Sequence, residues 1–157
     1  VALSSIFVGD EPVPERWNPI SMKDAGPLGK PSGGLWTCPE VPGLPSLWMD
    51  WCLGTDNPGF LKDGALWRVT AENPLVYEID SWLGFQLAVA DRPYRWMPDQ
   101  WSDPTIDFEQ LAEVYDAVYL TARGLAEIRY AALSISTWDV PTILWLRWCH
   151  FTVERVG

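Results

Sequence analysis

Two glycines and a proline bracket Leu35-Trp36-Thr37-Cys38 and leave room there for one short strand. Pro39 has no N–H to give to a sheet ladder, so it closes the strand. Gly33 and Gly34 carry no side chain, so a ligand or a second backbone can come close at the strand's entrance. After a Pro/Gly-rich turn, Ser46 is placed to cap a helix through Leu47-Trp48-Met49-Asp50-Trp51-Cys52. That helix is apolar around almost its whole circumference, the pattern of a helix packed on several sides. The rest of the chain is organised around this strand, loop and helix.

Prolines divide the remainder. Leu3 to Val8 is a short apolar, β-branched run that reads as a first strand ending at Gly9-Asp10. From Asp10 to Ser32, Pro12, Pro14, Pro19, Pro27 and Pro31 exclude a long helix or a central strand. A loop of this length in a compact domain is commonly a lid or a binding loop, and Trp17 reads as the anchor pinning it to the body. Ala65 to Thr70 and Leu75 to Ile79 read as strands, the second with Leu75, Tyr77 and Ile79 on one face. Asp80 or Ser81 caps a helix over 82–88, and Asp107 caps one over 108–113. Asp116 to Thr121 is a strand, a short helix follows over 124–130, and 142–148 with its extension to Val156 gives one or two strands. The segment 90–105 carries Pro93, Pro98 and Pro104 and reads as a loop tacked down by Tyr94, Trp96 and Trp101, or as an aromatic and arginine surface for a flat ring.

Short helices among more numerous strands predict an α+β domain with mixed, mostly antiparallel sheets around a central cleft. With 157 residues the chain is one domain, 1–157, and 48% apolar against 20% charged residues argues for a folded core. Eleven tryptophans are more than a core of this size hides, so some should line a groove or partner surface.

A net charge of −10 argues against a sequence-independent grip on nucleic-acid phosphates, though a small basic pocket still allows a nucleotide. Cys38, Cys52 and Cys149 sit among large apolar neighbours without metal-ligand spacing and read as free thiols of a reducing compartment. The amino terminus shows neither the basic region nor the apolar run of a signal peptide. Asp139, Pro141 and Arg147 interrupt the most apolar segment, 131–148, which is therefore a core element and not a membrane span. A cytoplasmic protein is the expectation. His150, the single histidine, has no Gly-x-Ser-x-Gly turn to serve, and Gly29-Lys30 does not complete a phosphate-binding loop. Nothing in the spacing of Glu78, Asp80, Asp116 and Asp139 selects a glycosidase pair.

Gly34-Leu35-Trp36-Thr37-Cys38-Pro39 leading to the Ser46 helix, then Leu66-Trp67-Arg68-Val69, then Tyr115-Asp116-Ala117-Val118, resemble the ADP-ribosyltransferase fold. The resemblance implies NAD as substrate, with the nucleotide held by Gly34, Trp36, Ser46, Trp48 and Arg68. It also implies a His or Arg on the first strand, an aromatic-(Ser/Thr) pair on the second, and an acid before a late strand. Trp36-Thr37 fills the second position and Asp139 the third, which makes Thr37 and Asp139 the catalytic candidates. The first strand holds no His or Arg, and Arg16 in the following loop is the candidate cation. The residue types leave a bland alternative open at each place: Asp139-Val140-Pro141 is also a turn signature, and Thr37 is also an ordinary strand residue.

The acceptor implied is a protein or nucleic acid, and a small stand-alone domain of this kind suits a phage or toxin system. The competing class is an acidic, Trp-rich binding or inhibitor protein that recognises a protein, a nucleotide or a sugar without catalysis. Convergence of Trp36, Thr37 and Asp139 on one cleft favours the transferase; an exposed patch of Trp96 and Trp101 favours the binder.

Overall fold

The computed structural model describes residues 1–60, 64–96, 103–132, 135 and 137–157. Among these, nine strands and four α-helices form a mixed α+β architecture. In chain order they are β1 (Leu3–Gly9), β2 (Leu35–Pro39), α1 (Leu47–Gly54), β3 (Ala65–Ala71), β4 (Val76–Ile79), α2 (Trp82–Asp91), β5 (Pro93–Tyr94), β6 (Thr105–Ile106), α3 (Phe108–Ala112), β7 (Ala117–Leu120), α4 (Ala122–Ile128), β8 (Thr142–Trp145) and β9 (Thr152–Arg155). Seven strands make one sheet in the order β4-β7-β8-β2-β1-β3-β9, and β5 pairs with β6 in a separate ribbon. Every neighbouring pair is antiparallel except β4 with β7. No helix among the described residues is long and apolar enough to cross a membrane.

Strand β2 joins the two halves of the sheet. Leu35, Trp36 and Thr37 pair with Trp145, Leu144 and Ile143 of β8, whereas Cys38 and Pro39 pair with Ile6 and Ser5 of β1. The glycine pair makes this seat possible. Gly34 has φ +67°, and a Cβ there would stand 2.5 Å from the Trp145 carbonyl oxygen. Gly33 has φ +78°, and a Cβ would stand 2.1 Å from the Pro19 carbonyl oxygen. Both close approaches are made by backbone, so at this point the glycines admit neighbouring chain and not a ligand.

Each helix starts at a side-chain cap: Ser46, Ser81, Asp107 and Thr121 accept from the N–H groups of Met49, Gly84, Gln110 and Gly124. Such a cap contributes on the order of 1 kcal/mol. Thr121 starts α4 two residues before the helix expected at Gly124, and α2 runs on to Asp91. The segment expected as wholly irregular, 90–105, contributes β5 and β6; Trp101 and Pro98 lie outside the described residues. Tyr77 and Ile79 share the packed face of β4, but Leu75 precedes the strand and is exposed. The carboxyl-terminal run breaks after Trp145, and β9 begins at Thr152.

The two faces of the sheet are covered differently. One carries the larger core, in which Phe85, Phe108, Leu111 and Ile128 from the helices, together with Trp138, bury Val118, Leu120 and Leu144. The other holds Ala71, Ala117, Ile143 and Trp145, backed by Trp17, Cys149 and Phe151. Trp145 is fully buried, and its indole N–H donates to Ser5 Oγ at 3.0 Å.

The Pro-rich loop 10–32 is a fixed part of the body. Trp17 meets Trp148 edge-on at 6.0 Å, as an anchor would. Ile20, Met22 and Ala25 enter the core, and the Met22 N–H donates to Glu109 Oε1 at 2.7 Å. Ser21 and Ser32 exchange both backbone hydrogen bonds at 3.0 Å. This closes the loop and delivers Lys30 and Pro31 beside β2.

Candidate functional site

A cleft of about 370 Å³ opens where β1, β2, α1 and the turn entering β8 meet. This volume is within the usual range for small-molecule sites. Its walls are largely aromatic and apolar. Strand β1 gives Ile6, Phe7 and Val8, strand β2 gives Trp36, Thr37 and Cys38, and α1 gives Trp48. The segment Thr137 to Val140 closes one side, with Trp138 fully packed and Asp139 half-buried, and Lys30 and Pro31 arrive from the loop. Trp36 meets Trp138 edge-on at 5.0 Å, and Trp48 stacks on Trp51 at 5.1 Å. Ring-to-ring packing thus fixes both pairs.

Three polar groups of the cleft are uncommitted. Among the described residues neither Lys30 nor Asp139 has a hydrogen-bond or ion-pair partner. Thr137 Oγ1 is a buried oxygen without a hydrogen-bond partner. Lys30 keeps exposed surface, yet its ammonium nitrogen lies 4.8 Å from the centre of the Trp36 ring. Loss of water there lowers the Lys30 pKa, and the negative charge of Asp139 opposes that shift. The two buried thiols are held neutral by contrast. Burial pushes the Cys38 thiol up to about 11 and raises that of Cys52, so both stay protonated at neutral pH.

Of the residues singled out in the sequence, Trp36, Thr37, Trp48 and Asp139 come together on this cleft. The Thr37 hydroxyl, however, is buried and donates to the Ile143 carbonyl at 2.7 Å, which ties β2 to β8. Gly34, Ser46 and Arg68 are not among the cleft's lining residues. Gly34 accommodates β8, and the Ser46 hydroxyl caps α1. Arg68 stands opposite Ile6 in the register of β1 and β3, but its guanidinium is held at 2.7 Å by both Glu40 and Glu154. Two carboxylates on one cation leave a net negative group, a poor seat for phosphate. Arg16 lies outside the cleft as well, in the short 3-10 turn Pro14–Arg16 beside Asp10.

Sequence reasoning missed Lys30 and Thr137. In the sequence Lys30 stands only in Gly29-Lys30, an incomplete phosphate-binding loop motif, and its place in the cleft comes from the Ser21–Ser32 closure. Thr137 carries no local signal. Among the described residues no three His, Cys, Asp or Glu side chains gather as metal ligands would.

No protein-family model matches this chain, and neither a curated protein nor a solved structure matches it significantly.

Proposed function

We propose that this chain is an ADP-ribosyltransferase-like protein that binds NAD in the aromatic cleft and transfers ADP-ribose to a protein or nucleic-acid acceptor. One observation carries the reading. The first strand, the Trp36-Thr37 pair and the acid before a late strand, which the resemblance names separately, lie on or beside three neighbouring strands, β1, β2 and β8, and border one cleft. The same reading assigns the α+β fold to the ADP-ribosyltransferase class.

The chemistry asks little covalent work of the protein. The bond between the ribose anomeric carbon and the nicotinamide nitrogen breaks, its electron pair neutralises the cationic ring, and nicotinamide leaves. The acceptor's nucleophile bonds to the anomeric carbon and gives up its proton to water. Trp36 and Trp48 supply ring faces for the nicotinamide, and the Asp139 carboxylate opposes the positive charge that grows on the sugar carbon. Asp139 is suited to this because no described residue already neutralises it by an ion pair. The free thiols of Cys38, Cys52 and Cys149 suit a reducing compartment such as the cytoplasm.

A second reading, a binding or inhibitor protein without catalysis, is favoured by the apolar stretch Ile6-Phe7-Val8 at the cleft, where a transferase of this kind carries a basic residue. Chromatography of NAD incubated with wild type and Asp139→Asn separates the two. The transferase releases nicotinamide, and the variant loses on the order of a hundredfold in rate while still binding NAD. Saturable NAD binding with no nicotinamide above the protein-free control assigns the binder.

A further inference from the structure

We propose that Lys30 is the cation of this site, entering from the Pro-rich loop in place of the basic residue that β1 lacks, and that it binds the diphosphate of the nucleotide at the cleft. The inference rests on the nucleotide reading above and adds to it the group that selects a diphosphate.

Lys30 is the cation that lines the cleft, and among the described residues it forms no ion pair, although the charge of Asp139 reaches it. Arg68 is clamped by Glu40 and Glu154, Arg123 by Asp80 and Glu127, and Arg147 is paired with Asp116 at 3.6 Å. In a chain of net charge −10, an incoming anion is repelled by most of the surface. An ammonium at the rim of apolar walls, without an ion pair among the described residues, is where that repulsion is locally eased. The position is built, because Ser21 and Ser32 close the loop and Ile20, Met22 and Ala25 anchor it in the core.

The charges of the cleft complement those of NAD in kind. Asp139 offers an anion to the cationic nicotinamide riboside, and Lys30 offers a cation to the diphosphate one ribose away. The Lys30 ammonium rests over the Trp36 ring. A cationic nicotinamide ring arriving on that face competes for it, and the ammonium exchanges a cation–π contact for a stronger charge-assisted hydrogen bond to phosphate. The partnerless Thr137 Oγ1 independently marks the cleft as missing a polar group that a ligand would bring.

The test is calorimetric titration of wild type, Lys30→Gln and Lys30→Arg with ADP-ribose, inorganic pyrophosphate and nicotinamide at two salt concentrations. The expected result is about a tenfold or greater weakening of ADP-ribose and pyrophosphate in Lys30→Gln. Its salt dependence should be reduced, nicotinamide binding unchanged, and Lys30→Arg close to wild type. Equal affinity of wild type and Lys30→Gln for ADP-ribose overturns the inference and leaves the transferase reading standing. Failure of wild type to bind either diphosphate probe also overturns it. Lys30-dependent binding of the diphosphates without nicotinamide release sustains the inference and removes the transferase.

Discussion

Trp145 and Trp36 sit on adjacent strands of one sheet, and they show how the same residue type serves two ends. Trp145 is fully buried on the closed face, and its single polar atom is satisfied by Ser5. Trp36 is half-buried on the cleft side, packed edge-on against Trp138 with its face toward a lysine. On the closed face the Trp145 indole and Ser5 are spent on each other. Among the described residues, the cleft side retains an ammonium, a carboxylate and a hydroxyl without hydrogen-bond or ion-pair partners. Content of tryptophan therefore says less about function than the pairing of the polar atoms around each ring.

The sharpest way to break this contrast is to truncate both rings. Trp145→Ala should cost about 3–5 kcal/mol of stability, read by urea unfolding, because a large cavity opens where nothing can collapse into it. Trp36→Ala should cost about 1–2 kcal/mol, the range of a partly exposed side chain, while removing most NAD binding. Equal stability losses would mean that Trp36 is a core residue and the cleft a packing defect.

Ser5→Ala tests the closed face more finely. It strands the Trp145 N–H in the core and should destabilise by about 1–3 kcal/mol with NAD affinity unchanged. Loss of affinity there would show that the two faces are coupled through β2.

The smallest effect is a pH dependence. The Lys30 pKa is lowered by burial, so the folded state disfavours the charged form. Stability should rise slightly as pH climbs through that lowered value toward the ordinary lysine range, where the unfolded chain still binds the proton. Binding of ADP-ribose should fall over the same interval, because the ammonium is being lost. Thermal melts and titrations run in parallel should thus move in opposite directions, and Lys30→Arg should flatten the binding curve.

Much of this architecture is written locally. Ser46, Ser81 and Asp107 announce their helices because a short polar side chain before an apolar run satisfies free N–H groups, and Gly33-Gly34 with Pro39 fixes the ends of β2. What was not legible depends on partners far along the chain. The sequence shows Arg68 as a cation, and only folding brings Glu40 and Glu154 onto it. Thr37 reads as a ribose ligand until Ile143 accepts its hydrogen bond. Lys30 lies in a segment with no periodicity, and its place beside Trp36 follows from loop closure at Ser21 and Ser32. The two-residue strands β5 and β6 were hidden by the prolines around them.

The most direct test of the central claim is intrinsic tryptophan fluorescence titrated with NAD. The account predicts a saturable change in wild type that Trp36→Leu largely removes, since Trp36 lines the cleft that NAD would fill. No change in wild type at millimolar NAD would contradict it.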